Sequence, residues 1–152
     1  MMQAFRVEGP PVGKARPRVT RWGAYTPKKT AQHEATIRQA AQQAGIVAIS
    51  GPVTLQVAFV MPIPASWPRK KREAAARQEI MPLGKPDVDN LCKAVMDALI
   101  GIAYQDDTQV VRLVACKLYG NEARTEVWID GVNTEGTADP GLHRERGIGQ
   151  QS

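Results

Sequence analysis

The stretch DVDNLCKAVMDALIG, residues 87–101, constrains this chain more than any other segment. Val88, Leu91, Cys92, Val95 and Leu99 recur at three- and four-residue intervals, the spacing of one helix face, and Gly101 supplies a stop. At about 100° per residue, positions 89, 93 and 97 drift only ~80° in total, so Asp89, Lys93 and Asp97 share the opposite face. A helix divided this way lays its apolar stripe on a sheet or a second helix and leaves the charged row outside the core.

The rest of the chain offers such partners. Residues 3–8 alternate around Phe5 and Val7 as a short strand, and Val53, Leu55, Val57 and Phe59 form one face of a strand over 52–61. Two more strands are expected over 108–119 and 124–131, joined as a hairpin through Gly120 and Asn121. Residues 9–23 read as a breaker-rich loop. A helix follows, with Pro27 in its first turn, a stripe of Ile37, Ala40, Ala41 and Ala44, and Gly45 as its stop. Ser66 is placed to cap another helix from about Trp67 to Gln78, with Pro68 in its first turn. Lys85 precedes Pro86 in an extended approach to Asp87. With 152 residues the chain makes one domain, taken as 1–131, and residues 132–152 read as a flexible C-terminal tail.

Composition narrows the function. No apolar run approaches the ~20 residues of a membrane helix, and Met1 to Arg6 lack the apolar core of a signal peptide. Cys92 and Cys116 fit no zinc spacing and read as small buried hydrophobes, which points to a reducing, cytoplasmic setting. With His33 and His143 alone, histidine-based metal sites and nucleophilic triads have little to stand on.

The net charge of +5 is unevenly spread: +6 over residues 1–30, +4 over 66–85, but −4 over 86–131. Within the acidic stretch, Asp87, Asp89, Asp97, Asp106 and Asp107 fall in 21 positions. Carboxylates without histidines suit Mg²⁺, which takes oxygen ligands and keeps several waters, so two or three aspartates suffice. Cationic loops around such a site suit a substrate with phosphates, and the chemistry would be phosphodiester hydrolysis, with Lys93 stabilising developing charge. Lys14, Arg16, Arg18 and Arg21 cluster with Trp22 and Tyr25, which can stack on bases; Arg69, Lys70, Lys71, Arg72 and Lys85 add a second basic group expected to touch DNA.

Simpler readings stand beside these. Asp87 suits an N-cap, Asp89 the helix dipole, Lys93 an i,i+4 ion pair with Asp89, and Asp106–Asp107 a turn. The basic segments can be solvated faces, and Trp22 and Trp67 can be core.

The run KPDVDNLCKAVMDALIG, followed after a short gap by AYQDDTQV, resembles the RusA family of Holliday junction resolvases of bacteria and prophages. The shared positions are Asp87, Asp89, Asn90, Lys93, Asp97, Asp106, Asp107, Gln109 and Val110, and looser agreement covers residues 3–131. The resemblance implies an α+β fold, a small mixed sheet of about four strands packed against two or three helices. It also implies a homodimeric endonuclease, dependent on Mg²⁺ or Mn²⁺, that nicks two opposing strands of a four-way DNA junction. Asp87, Asp89 and Asp107 would be catalytic metal ligands, and Lys93 the essential basic residue near the scissile phosphate. The segment PASWPRKKREAAARQ is longer than in the shortest family members. A nuclease for flap or other branched DNA, and a non-catalytic phage DNA-binding module, are the alternatives.

Overall fold

The computed structural model describes residues 1–15, 18–25 and 27–132, with the backbone only for Arg18 and Tyr25. The expected tail therefore lies outside the described residues, apart from Val132. The elements are β1 (Gln3–Glu8), β2 (Arg18–Thr20), β3 (Gly23–Tyr25), α1 (Lys28–Gln43), β4 (Val53–Pro62), α2 (Arg69–Ala76), α3 (Val88–Ala98), β5 (Val110–Gly120) and β6 (Arg124–Gly131). A single 3₁₀ turn, Asp107–Gln109, leads into β5.

Four strands form one mixed sheet in the order β1-β6-β4-β5, and β2 pairs with β3 as a separate hairpin. The fold is thus α+β with a four-stranded mixed sheet, as expected. Strand β4 is the most apolar, with Val53, Leu55, Val57, Phe59, Val60 and Met61 all buried, and it takes a central place. It pairs in parallel with β5 and antiparallel with β6. One sheet face carries Phe5, Val7, Leu55, Val57, Phe59, Val127 and Ile129 into a core with Ile37 and Ala41 of α1 and Leu91, Cys92, Val95 and Leu99 of α3. Each large apolar side chain so buried contributes about 1.5–3 kcal/mol against exposure.

Several expectations are corrected. Strands β5 and β6 do not form a hairpin; β4 lies between them, and residues 121–123 carry the chain across the end of β4. Strand β4 ends at Pro62, which has no N–H to extend the ladder, so the short link can pass over it. Gly120 permits the close approach there, since a Cβ would lie 2.4 Å from Val60 Cγ1. The loop over 9–23 contains β2 and leads into β3. Helix α2 begins at Arg69 with Pro68 at its N-cap, so Ser66 does not cap it, and Pro27 likewise stands before α1 rather than inside it. Val88 falls at the solvent end of its stripe and is 39% exposed, and Cys116 is exposed on the edge strand β5. Ala44 ends α1 as its exposed C-cap.

Candidate active site

Helix α3 presents the site because its buried stripe fixes its rotation. With Leu91, Cys92, Ala94, Val95, Ala98 and Leu99 in the core, Asp89 and Lys93 are left exposed and Asp97 half-buried. Two contacts fix where the helix starts. Lys117 of β5 donates to the carbonyls of Gly84 (2.7 Å) and Pro86 (3.0 Å), which pins the approach to Asp87. The backbone N–H of Lys14 donates to the Asn90 carbonyl at 3.1 Å, and a Cβ on Gly13 would lie 2.9 Å from Pro86 Cβ. At the far end, the fully buried Tyr104 donates its hydroxyl to the Met96 carbonyl at 2.6 Å, taking up one of the last free carbonyls of the helix. Burial, and then the charges of Asp107 and Asp97, raise the Tyr104 pKa, so that hydroxyl stays protonated as a donor.

The two adjacent acids, Asp106 and Asp107, take different tasks. Asp106 caps the 3₁₀ turn, accepting from Thr108 N at 3.0 Å, and this bond holds its carboxyl below the usual range. Gln109 closes the capping box: its Oε1 accepts from the N–H groups of Gln105 (2.8 Å) and Asp106 (3.2 Å). Its Nε2 donates to the carbonyls of Ile49 (2.8 Å) and Gly51 (2.9 Å), tying the turn to the loop before β4. Asp107 is thereby directed to α3, where its Oδ2 lies 3.5 Å from Lys93 Nζ.

Lys93 also meets Asp97 Oδ1 at 3.2 Å, while Asp97 Oδ2 lies 3.2 Å from Lys14 Nζ, and Lys14 in turn donates to Glu34. The result is an alternating chain, Glu34–Lys14–Asp97–Lys93–Asp107, running from α1 across α3 to the turn before β5. The hydrogen bond from Asp97, followed by its charge, raises the Lys93 pKa, so Lys93 is an ammonium at neutral pH and not a proton acceptor. Burial works against the charge of Lys14, but its bonds to Glu34 and Asp97 outweigh this and its pKa also ends raised.

Asp87 occupies the N-cap position, yet its side chain makes no capping hydrogen bond. Asp87 and Asp89 are both exposed, and their carboxylates form no ion pair or hydrogen bond among the described residues. Lys93 bonds Asp97 and Asp107 rather than Asp89. Two hard oxygen donors thus stand open at the start of α3, Asp87 at its N-cap and Asp89 in its first turn, which suits Mg²⁺ in kind. The three expected ligands are not brought together: Asp107 faces Lys93, and among the described residues no three acidic, histidine or cysteine side chains converge to hold a metal ion.

The expected DNA-contacting residues fall into separate places. Lys14 is in the charge chain, Arg21 stacks 5.1 Å from the centroid of Trp22, and Arg16 lies outside the described residues. The backbone of Arg18 begins β2. On α2, Arg69 bonds Glu73 at 2.9 Å, Lys71 stands 4.0 Å over the Trp67 ring, and Lys70 and Arg72 are exposed, as is Lys85. Trp67 meets Tyr119 edge-on at 5.4 Å, which holds α2 against β5.

Sequence reading passed over Glu34, Lys117 and the structural task of Gln109. A signal for Glu34 existed: Thr30, Ile37 and Ala41 on the same face of α1 are buried, and a carboxylate set among them calls for a cation. Lys117 had a comparable one, as the cation between apolar neighbours in a strand.

No helix among the described residues is long and apolar enough to cross a membrane. The chain is 37% identical over 136 residues to a Bacillus subtilis (strain 168) protein described as uncharacterized protein YqaN, an overlap of 85% of this chain and 96% of that one. Residues 8–130 match the model of the family described as endodeoxyribonuclease RusA. That span holds every element from β2 to β5 and both open aspartates, so the chain belongs to the RusA endodeoxyribonuclease family.

Proposed function

We propose that this chain resolves four-way DNA junctions in recombination and repair, as a homodimer that makes paired, symmetric nicks with Mg²⁺, or Mn²⁺ in its place. The observation that carries this reading is the pair of open carboxylates, Asp87 and Asp89, beside an ammonium already held by Asp97 and Asp107. Asp87 and Asp89 would hold the cation, and Asp107, which faces Lys93 in the structure, would join them by exchanging that ammonium for the metal. When bound, it would lower the pKa of a water and neutralise charge on the phosphate. Lys93, kept protonated by Asp97, offsets charge developing on the scissile phosphate. Asp97 keeps that ammonium on the Asp107 side of α3, and Lys117 holds Asp87 at the helix start. The cations of α2 and the β2–β3 hairpin attract the DNA backbone, which the acidic patch alone would repel.

The dimer follows from symmetry. A four-way junction has a two-fold axis, and a C₂ pair of chains offers two matched sites for two nicks. Membership of a nuclease family favours this reading over a non-catalytic binding module.

The test is cleavage of a four-way junction with Mg²⁺, with Mn²⁺ and with chelator, mapping nicks on all four strands. The expected result is symmetric paired nicks that require the metal. Asp89→Asn should abolish them and leave junction binding intact or tighter, since one repulsive charge is removed with the ligand. Equal cutting of flaps, three-way junctions and linear duplex would sink the junction assignment.

A further inference from the structure

Trp22 is out of place for an indole. It is 85% exposed at the tip of the β2–β3 hairpin, with Val19 83% exposed nearby. An indole left in water forgoes the largest apolar burial any side chain offers, and such residues are enriched where a partner is bound. The contrast with Trp67 is direct: that ring packs on Tyr119 and carries Lys71, whereas Trp22 has Arg21 beside it.

The tip is also built to hold its shape. Thr20 Oγ1 accepts from the Trp22 N–H at 3.2 Å and donates to the Gly23 carbonyl at 3.0 Å, so one hydroxyl bridges the turn. Gly23 sits at φ +121°, a conformation that a Cβ would strain. The hairpin springs from a fixed base: Lys14 N–H bonds Asn90 on α3, and Ala15 N–H bonds Thr30 Oγ1 on α1 at 3.2 Å. Three Cα steps separate Ala15 from Arg18, a reach of at most about 11 Å. The base of the hairpin is therefore tethered close to the start of α3, where Asp87 and Asp89 stand.

We propose that the β2–β3 hairpin presents Trp22 as a stacking platform for a nucleobase unpaired at the branch point of DNA. The occupant is argued from charge and shape. The surrounding residues 1–30 carry a net +6, which favours a polyanion over an apolar protein surface. Arg21 is already stacked by the indole and can extend the platform or meet the adjoining phosphate. A paired base inside a duplex offers no face to an indole, whereas a branch point does; the hairpin thus gives structure selectivity, and the cations of α2 give general grip. This role rests on the junction reading above.

The experiment compares wild type, Trp22→Ala and Trp22→Phe in EDTA, so that DNA stays uncut. Each binds a four-way junction and a linear duplex of matched sequence, with 5-iododeoxyuridine placed at the branch point or within an arm for photocrosslinking. Trp22→Ala should weaken junction binding by about 5- to 150-fold, the range for loss of one stacked base, and change duplex binding by less than about 2-fold. Trp22→Phe should recover most of the loss, and wild type should crosslink through Trp22 to the branch point and not to the arms. A Trp22→Ala protein that keeps the wild-type junction preference, or a crosslink confined to the arms, overturns the platform. A wild-type protein that binds junction and duplex alike overturns the junction reading, and the platform with it.

Discussion

Lys14 Nζ lies 3.2 Å from Asp97 Oδ2, on the carboxylate whose other oxygen accepts from Lys93. One aspartate is thus shared by two ammonium groups, one from the N-terminal loop and one from α3. Glu34 completes the charge balance around Lys14 from α1. Lys14 is half-buried here, so the loop that carries the hairpin is keyed into the same network that orients Lys93.

Replacing Lys14 by Met should act on catalysis more than on DNA affinity. Asp97 and Glu34 lose their shared cation, and Asp97 then draws Lys93 away from Asp107. Removing a group that only orients a reacting side chain, as Lys14 orients Lys93 through Asp97, costs about 10–100-fold in activity. A lysine bonded directly to phosphate behaves differently: its removal lowers the salt slope of binding by about 0.9. The expected outcome for Lys14→Met is slow junction cleavage with an unchanged slope of log affinity against log salt, and partial recovery in Lys14→Arg. A slope reduced by one phosphate contact, with the cleavage rate of the bound junction unchanged, would return Lys14 to the role its sequence context suggested.

Gly120→Ala tests the crossing between β5 and β6. Its new Cβ would meet Val60 Cγ1 at 2.4 Å, and Val60 is a buried β-branched residue of the central strand with little freedom to turn. Overpacking of this kind costs about 1–3 kcal/mol. Urea denaturation should show that loss, and the double variant Gly120→Ala, Val60→Ala should lose less than its two single changes added together.

The legible and illegible parts of this chain divide along the range of the interactions. Helix α3 was readable because its stripe and charged row are both set by the 3.6-residue period within a dozen positions. The strand faces of β1 and β4 followed from alternation in the same way. The hairpin expected at Gly120 failed because Asn121 and Glu122 are equally at home in a tight turn and in a short link over the end of β4; pairing with β4, some sixty residues earlier, decided it. Asp106 and Asp107 were grouped by adjacency, yet a capping bond to Thr108 takes one and Lys93 the other. Glu34 joins Lys14 across a separation of twenty residues, which no local period encodes.

His33 gives the fold a mild sensitivity to acid. It is half-buried on α1, and burial lowers its pKa; the charge of Lys29 pushes the same way and Glu34 opposes. The unfolded chain, with an ordinary histidine near 6.5, then binds the proton before the folded one. By linkage, the contribution is present above pH ~6.5 and is lost as pH falls through that value toward the lower folded pKa. Urea midpoints taken at pH 7.5 and pH 5.5 should fall toward acid in the wild type and fall less in His33→Gln, which keeps the polar shape without the titration. Equal declines in the two proteins would place the acid sensitivity elsewhere.

The two cysteines should separate cleanly by reactivity. Burial beneath α3 pushes the Cys92 thiol up to about 11, with the Asp89 charge adding to the effect, so at pH 8 only about one molecule in a thousand carries the thiolate. Cys116 stands exposed on β5, open to reagent. The native protein treated with iodoacetamide at pH 8 should therefore take up one label quickly, at Cys116, and a second only in denaturant. Cys116→Ser should remove the fast label and leave the slow one. The same experiment reports on α3: a Gly13→Ala variant, whose new Cβ presses on Pro86 at 2.9 Å, loosens the start of the helix and should hasten labelling of Cys92 without altering that of Cys116.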